Sequence, residues 1–146
     1  MIGDMGRPSG RGHRRVPHTA DVRIEAWAPT RQECLAEAVT ALVATFADTG
    51  DAPASGTGGF TVPPGPDEDL LVAVLDEVVF RLETEGVVPV ATEVVAADDG
   101  GARVRWRTVD TDAVTPVGAV PKAVSLHGLR FGPGASGWCC AVTLDV

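Results

Sequence analysis

The chain has 146 residues, 45% of them hydrophobic and 22% charged, with a formal net charge of −8. That length suits one domain with a real core and is short for two. So large an excess of carboxylates argues against a protein that grips nucleic acid by itself, since phosphate binding runs on clustered Lys and Arg.

The head, residues 1–15, places Arg7, Arg11, Arg14 and Arg15 among Gly, Pro and Ser without apolar periodicity. It reads as a disordered basic tail, with the folded domain over 16–146. No apolar run approaches the ~20 residues that span a bilayer, and no hydrophobic signal segment follows the start, so the cytoplasm is the expected location.

Val22 to Trp27 alternates apolar and polar residues, as a strand with one wet face does, and Pro29 stops it. Thr30-Arg31-Gln32-Glu33 fits a capping box. Leu35, Ala38, Val39, Leu42, Val43 and Phe46 then follow helical spacing and predict an amphipathic helix to about Ala47. A loop from Asp48 to Gly59 and a short strand over Phe60 to Val62 lead to the breaker Pro63-Pro64-Gly65-Pro66.

A second helix opens with Asp67, Glu68 and Asp69, where negative charge suits the helix dipole. Leu70, Leu71, Val74, Leu75, Val78, Val79 and Leu82 form its broad apolar stripe, and Gly86 is a good stop. Val87 to Ala97 is rich in β-branched residues, and Ala102 to Val109 alternates strictly, with Arg103, Arg105 and Arg107 on one side. Asp98-Asp99-Gly100-Gly101 between them predicts a hairpin. The arginine stripe could touch RNA, but a solvated strand face is the better reading of it. Strands over Val120 to Phe131 and Trp138 to Val146, joined by a turn from Gly132 to Gly137, complete the pattern. The expected fold class is α+β: a mostly antiparallel sheet carrying two long helices.

Cys34, Cys139 and Cys140 are odd in number, and two are adjacent strand residues that point to opposite faces. They predict idle thiols and no disulfide framework. The more pointed chemistry sits at opposite ends of the domain. His18-Thr19-Ala20-Asp21-Val22 and Leu144-Asp145-Val146 each place an aspartate at the end of a strand, the second beside the last carboxylate of the chain. Brought together, these groups would make a hard-oxygen cation site. Apart, Asp21 is a turn cap and Asp145 a solvated strand end.

With these residues in place the chain resembles the archease family, small acidic proteins that assist the RtcB type of RNA ligase. The likeness rests on His18-Thr19-Ala20-Asp21-Val22, on Trp27 and the capped helix after it, and on Leu70-Leu71 through Glu83-Thr84-Glu85-Gly86. Lys122-Ala123-Val124-Ser125-Leu126-His127-Gly128-Leu129 and Leu144-Asp145-Val146 complete it. It covers Val16 to Val146. Arg23 stands where the family usually has Gly, Ser125 and Leu126 replace a more usual Thr and Tyr, and Thr108 to Pro121 is poor in basic residues.

The resemblance implies a metal site at Asp21, Asp145 and Val146, the last through a main-chain or terminal oxygen. Such oxygens favour calcium or magnesium. It also implies that Lys122, with His18 and His127, takes part in activating the ligase. The implied protein is an activator and not the catalyst: it promotes guanylylation and turnover of an RtcB-type ligase in tRNA splicing or RNA repair, with RNA met only through that transient partner. Two rivals are a small metal-dependent hydrolase with a histidine base, and a chaperone-like module for RNA-processing enzymes.

Overall fold

The computed structural model describes residues 10–16 and 21–146. In chain order the elements are β1 (Gly12–Val16), β2 (Asp21–Ala28), α1 (Arg31–Ala44), β3 (Ala47–Asp48), β4 (Gly56–Val62) and α2 (Asp67–Glu85). There follow β5 (Val87–Ala96), β6 (Ala102–Asp110), a 3₁₀ turn at Thr111–Ala113, β7 (Thr115–Pro116), β8 (Ala123–Gly134) and β9 (Gly137–Asp145). The fold is α+β and every described strand pairing is antiparallel. A four-stranded sheet has the order β1-β2-β9-β8, a three-stranded one β4-β6-β5, and β3 pairs with β7.

Helix α1 begins as its capping sequence predicts. The Thr30 hydroxyl accepts from the Glu33 amide at 3.2 Å. It also donates to the Glu33 carboxylate at 2.9 Å, so glutamate returns to the cap through the hydroxyl. The expected amphipathic character is not what results. Cys34 through Val39 and Ala41 through Val43 are all buried, because α1 packs on β2 on one side and on β5 on the other. Ala36, Ala38 and Ala41 keep its girth small enough for this double contact. Helix α2 keeps a wet side at Asp76 and Phe80 and buries Leu70, Leu71, Val74, Leu75 and Val78. Each such side chain contributes about 1.5–3 kcal/mol by leaving water. It ends at Gly86, whose φ of 65° supplies the left-handed cap that β-carbon sterics deny to other residues.

The boundary of the tail differs from expectation. Gly12 to Val16 form β1 on the edge of the larger sheet, paired with Arg23 to Trp27. Polar ties do the work that apolar periodicity does elsewhere. Glu37, buried on α1, accepts from Arg11 Nε and meets His13 Nδ1, while Arg14 Nε donates to Glu25 at 2.7 Å. A glutamate inside an otherwise apolar helix needs such partners. Two loops are also shorter than expected: β4 starts at Gly56, and the β8–β9 turn shrinks to Ala135-Ser136.

The cysteines are free thiols. Cys34 and Cys140 are buried and adjoin in the core. The hydrogen bond with Cys140 first, and burial second, push the Cys34 thiol far above the usual thiol range. A thiol held protonated is a poor nucleophile.

Candidate functional site

Strand β9 lies between β2 and β8, and its register with both decides the site. Asp145 sits directly opposite Asp21 on β2 and directly opposite Ala123 on β8. Directly opposed residues of antiparallel strands share a face, with Cβ atoms about 4.5–5.5 Å apart. The two aspartates, 124 positions apart in the chain, therefore meet side by side at one end of the larger sheet. The neighbouring pair, Val22 with Leu144, points the other way into the core and pins this register. A slip of one residue would bury the carboxylates and expose both apolar side chains.

Lys122 joins the same end from β8. Its amide donates to the Asp145 carbonyl at 2.7 Å, which extends the strand pairing by one step and fixes the lysine backbone beside the aspartate pair. The Lys122 side chain is exposed, as is Asp145, while Asp21 is half-buried. Val146 follows Asp145 and packs its side chain against the core. His18 lies outside the described residues.

His127 is carried on an irregularity of β8. Ser125 opposes Thr143 and Arg130 opposes Ala141, so four residues on β8 span the gap that Val142 alone spans on β9. The bulge pushes Leu126 and His127 outward, and Leu126 is 70% exposed. The His127 amide donates to Ser125 Oγ at 3.2 Å, within the bulge. The structure thus sets Asp21 opposite Asp145, bonds the Lys122 backbone to Asp145, and places His127 on a bulge of the neighbouring strand.

Arg23 holds that protrusion in place. It lies two residues from Asp21 on the same face of β2, opposite Thr143. Its guanidinium donates to Thr143 Oγ1 at 2.9 Å and to the Gly128 carbonyl at 3.1 Å. The sequence marked Arg23 as a departure from the family's usual Gly but did not show this clamp. A glycine inside a strand pattern, here Gly128, was the available sign of a bulge.

Opposed carboxylates repel across a strand pair. Neither Asp21 nor Asp145 has a cationic side chain within ion-pair distance among the described residues. Two hard-oxygen side chains on neighbouring strands fit calcium or magnesium, both of which accept carboxylates and complete their shells with main-chain oxygens and water. They do not make a closed site: the described residues contain no group of three or more His, Cys, Asp or Glu placed to hold a metal. Further oxygens must come from the main chain, from water or from a partner. The nearby guanidinium opposes a cation, so Arg23→Gln, which keeps a donor for Thr143, is expected to tighten calcium binding about three- to tenfold by titration calorimetry. Unchanged affinity would show that the Arg23 charge does not reach the aspartates.

Comparison with known proteins bears on the fold and the kinship of the chain. The sequence model of the Archease protein family matches residues 13–146. Two curated proteins, each named "Probable protein archease", come from Mycobacterium tuberculosis strains CDC 1551/Oshkosh and ATCC 25618/H37Rv. Each is 51% identical over 142 residues, which cover 97% of this chain and 79% of the relative. The solution structure of protein 1598 from Methanobacterium thermoautotrophicum superposes with a TM-score of 0.73 at 20% identity, covering 92% of this chain and 99% of that one. A crystal structure from Thermotoga maritima, described as an archease and possible chaperone, gives 0.64 at 19% identity over 97% and 98% of the two chains. At such identities the two structures speak for the fold, while the family match and the mycobacterial relatives speak for kinship. The chain belongs to the archease family.

Proposed function

We propose that this chain is a cation-assisted activator of an RtcB-type RNA ligase, promoting guanylylation and multiple turnover of that enzyme in tRNA splicing or RNA repair. The observation that carries the reading is the register that sets Asp21 against Asp145 with the Lys122 amide on the Asp145 carbonyl. The two carboxylates and a main-chain oxygen of Val146 would hold a calcium or magnesium ion. The bound ion would offset the charge of the aspartate pair.

The chain's own residues supply the rest. The β2–β9–β8 pairing presents the aspartates as one rigid edge, in which the backbone is held by strand hydrogen bonds and only side chains need to be ordered on docking. Lys122, anchored by its backbone and exposed at its side chain, can reach a phosphate on the partner as a point charge. The Arg23 clamp keeps the His127 bulge at a fixed place beside that edge. Contacts of this kind suit a transient encounter, in which the activator leaves after the ligase has taken up its nucleotide.

The test is a guanylylation assay of a purified RtcB-type ligase with GTP and manganese, with and without this protein at substoichiometric amounts. A faster guanylylation rate and sustained turnover are expected. No change in either would overturn the proposal. The chaperone reading takes support from the description of the Thermotoga relative. It is distinguished by whether the protein protects unrelated RNA-processing enzymes from aggregation without altering ligation.

A further inference from the structure

The smaller sheet has an outer face that the aspartate tip does not explain. On β6, Val104 and Trp106 point into the core, while Arg103, Arg105 and Arg107 are exposed on the other side. The protein has 20 Asp and Glu against 12 Lys and Arg, so carboxylates are plentiful enough to pair every arginine. Arg11, Arg14, Arg31 and Arg81 are paired, while Arg15, Arg23 and Arg130 have no carboxylate partner among the described residues. Arg105 meets Glu93 at 3.0 Å, with both side chains largely in water. Arg103 and Arg107 have no ionic partner among the described residues.

The neighbours of these two arginines repeat. Thr61 stands directly opposite Arg103 and Thr57 directly opposite Arg107 on β4, with Gly59 opposite Arg105 between them. Each unpaired guanidinium thus shares its row with a hydroxyl donor, and the two rows are about 13 Å apart at ~3.3 Å per strand residue. Glycine in the middle row leaves room. A shallow concavity of about 760 Å³ lies over Thr57, Gly59, Glu93, Arg105 and Arg107. A second, of about 390 Å³, continues it over Thr61, Val95 and Arg103. Together they form a track along the central strand.

We propose that this face of β4-β6-β5 binds the phosphate backbone of single-stranded RNA, with Arg103 and Thr61 on one phosphate and Arg107 and Thr57 on another. The face presents no exposed aromatic ring, since Phe60 and Trp106 stack inward on each other at 5.1 Å between centroids. Recognition therefore runs through the backbone and ignores base sequence. Glu93, in the middle row, decides between two polyanions. It offers an acceptor to a ribose 2′-hydroxyl. The carboxylate side chains of an acidic peptide have no such donor to give it, so the 2′-hydroxyl, and not charge, favours RNA. The acidic body of the protein keeps the binding short-ranged and weak. This site is separate from the aspartate tip and does not depend on the ligase reading.

The test uses the whole chain and a short fluorescein-labelled oligouridylate, followed by fluorescence anisotropy over a range of salt. Release of counterions from two phosphates sets a slope of about −1.4 in log affinity against log salt. Arg103→Gln/Arg107→Gln is expected to weaken binding roughly tenfold and flatten the slope. Arg103→Lys/Arg107→Lys should keep the slope, showing that charge and not unfolding is responsible. Asp145→Ala should bind the oligonucleotide like the parent, so that this site stands or falls apart from the tip. Undiminished binding by the glutamine variant would overturn the proposal, as would polyglutamate displacing the oligonucleotide as well as unlabelled RNA does.

Discussion

Asp145→Ala is expected to erase the calcium-induced rise in melting temperature while leaving the metal-free protein at least as stable as the parent. The two effects have opposite signs for one physical reason. Without a cation, Asp145 faces Asp21 across the strand pair, and removing one of two opposed like charges relieves repulsion. With a cation, the same removal takes away half of the side-chain ligand set. At calcium ten times above its dissociation constant, a site that binds only the folded state adds about 1.4 kcal/mol, or about 4 °C in melting temperature for a domain of this size. The backbone register should survive, because the Lys122 amide donates to the Asp145 carbonyl and not to its side chain. In the ligase assay, stimulation of guanylylation should fall to the unassisted rate. A variant that keeps both the thermal shift and the stimulation would remove the aspartate pair from the mechanism.

The largest effect on stability is expected away from the tip, from Gly101→Ala. A Cβ on Gly101 would lie 2.1 Å from the Val62 carbonyl oxygen and 3.0 Å from the backbone of Pro63 and Pro64. These are backbone atoms, and two consecutive prolines restrict how the segment can move aside. The clash sits where β4 ends beside the β5–β6 hairpin, so relief requires displacing one strand end from the smaller sheet. The cost is about 2–3 kcal/mol, read as a lower urea midpoint at constant m-value. Gly132→Ala is the matched control: nothing lies within 4 Å of its Cβ, and its change should stay within about ±0.5 kcal/mol. Equal midpoints for the two variants would show that the Val62–Pro64 segment yields freely.

Much of the fold was legible because local signals and tertiary placement agreed. The Thr30 cap, the Gly86 stop, the Asp98 to Gly101 hairpin and the alternation around Trp106 each carry their structure within a few residues. What escaped was decided by distant partners. Strand β1 has no apolar pattern; ion pairs with Glu37 and Glu25 hold Arg11 just before it and His13 and Arg14 within it. The near-complete burial of α1 required a second sheet, which its own periodicity does not encode. At the tip, Asp21 and Asp145 were legible as candidates, and family resemblance joined them. The clamp of Arg23 on Gly128 was not legible, because it closes a loop of about a hundred residues, and only a bulge of unforeseen length brings that carbonyl within reach.

The position of β9 has a further consequence for how the protein comes into being. It follows every other described element in the chain, yet it fills an inner position between β2 and β8. A growing chain on the ribosome can form α1, α2 and the smaller sheet while β2, paired on its other side with β1, and β8 wait on either side of an open slot. Only when β9 enters does the larger sheet close, and in the same event Asp145 comes to rest against Asp21. Every molecule with a paired aspartate tip is therefore one whose synthesis has run through Asp145. Chains that stop earlier present two bare strand edges and no tip, a combination that favours their capture by chaperones and proteases over engagement in any function of the finished protein.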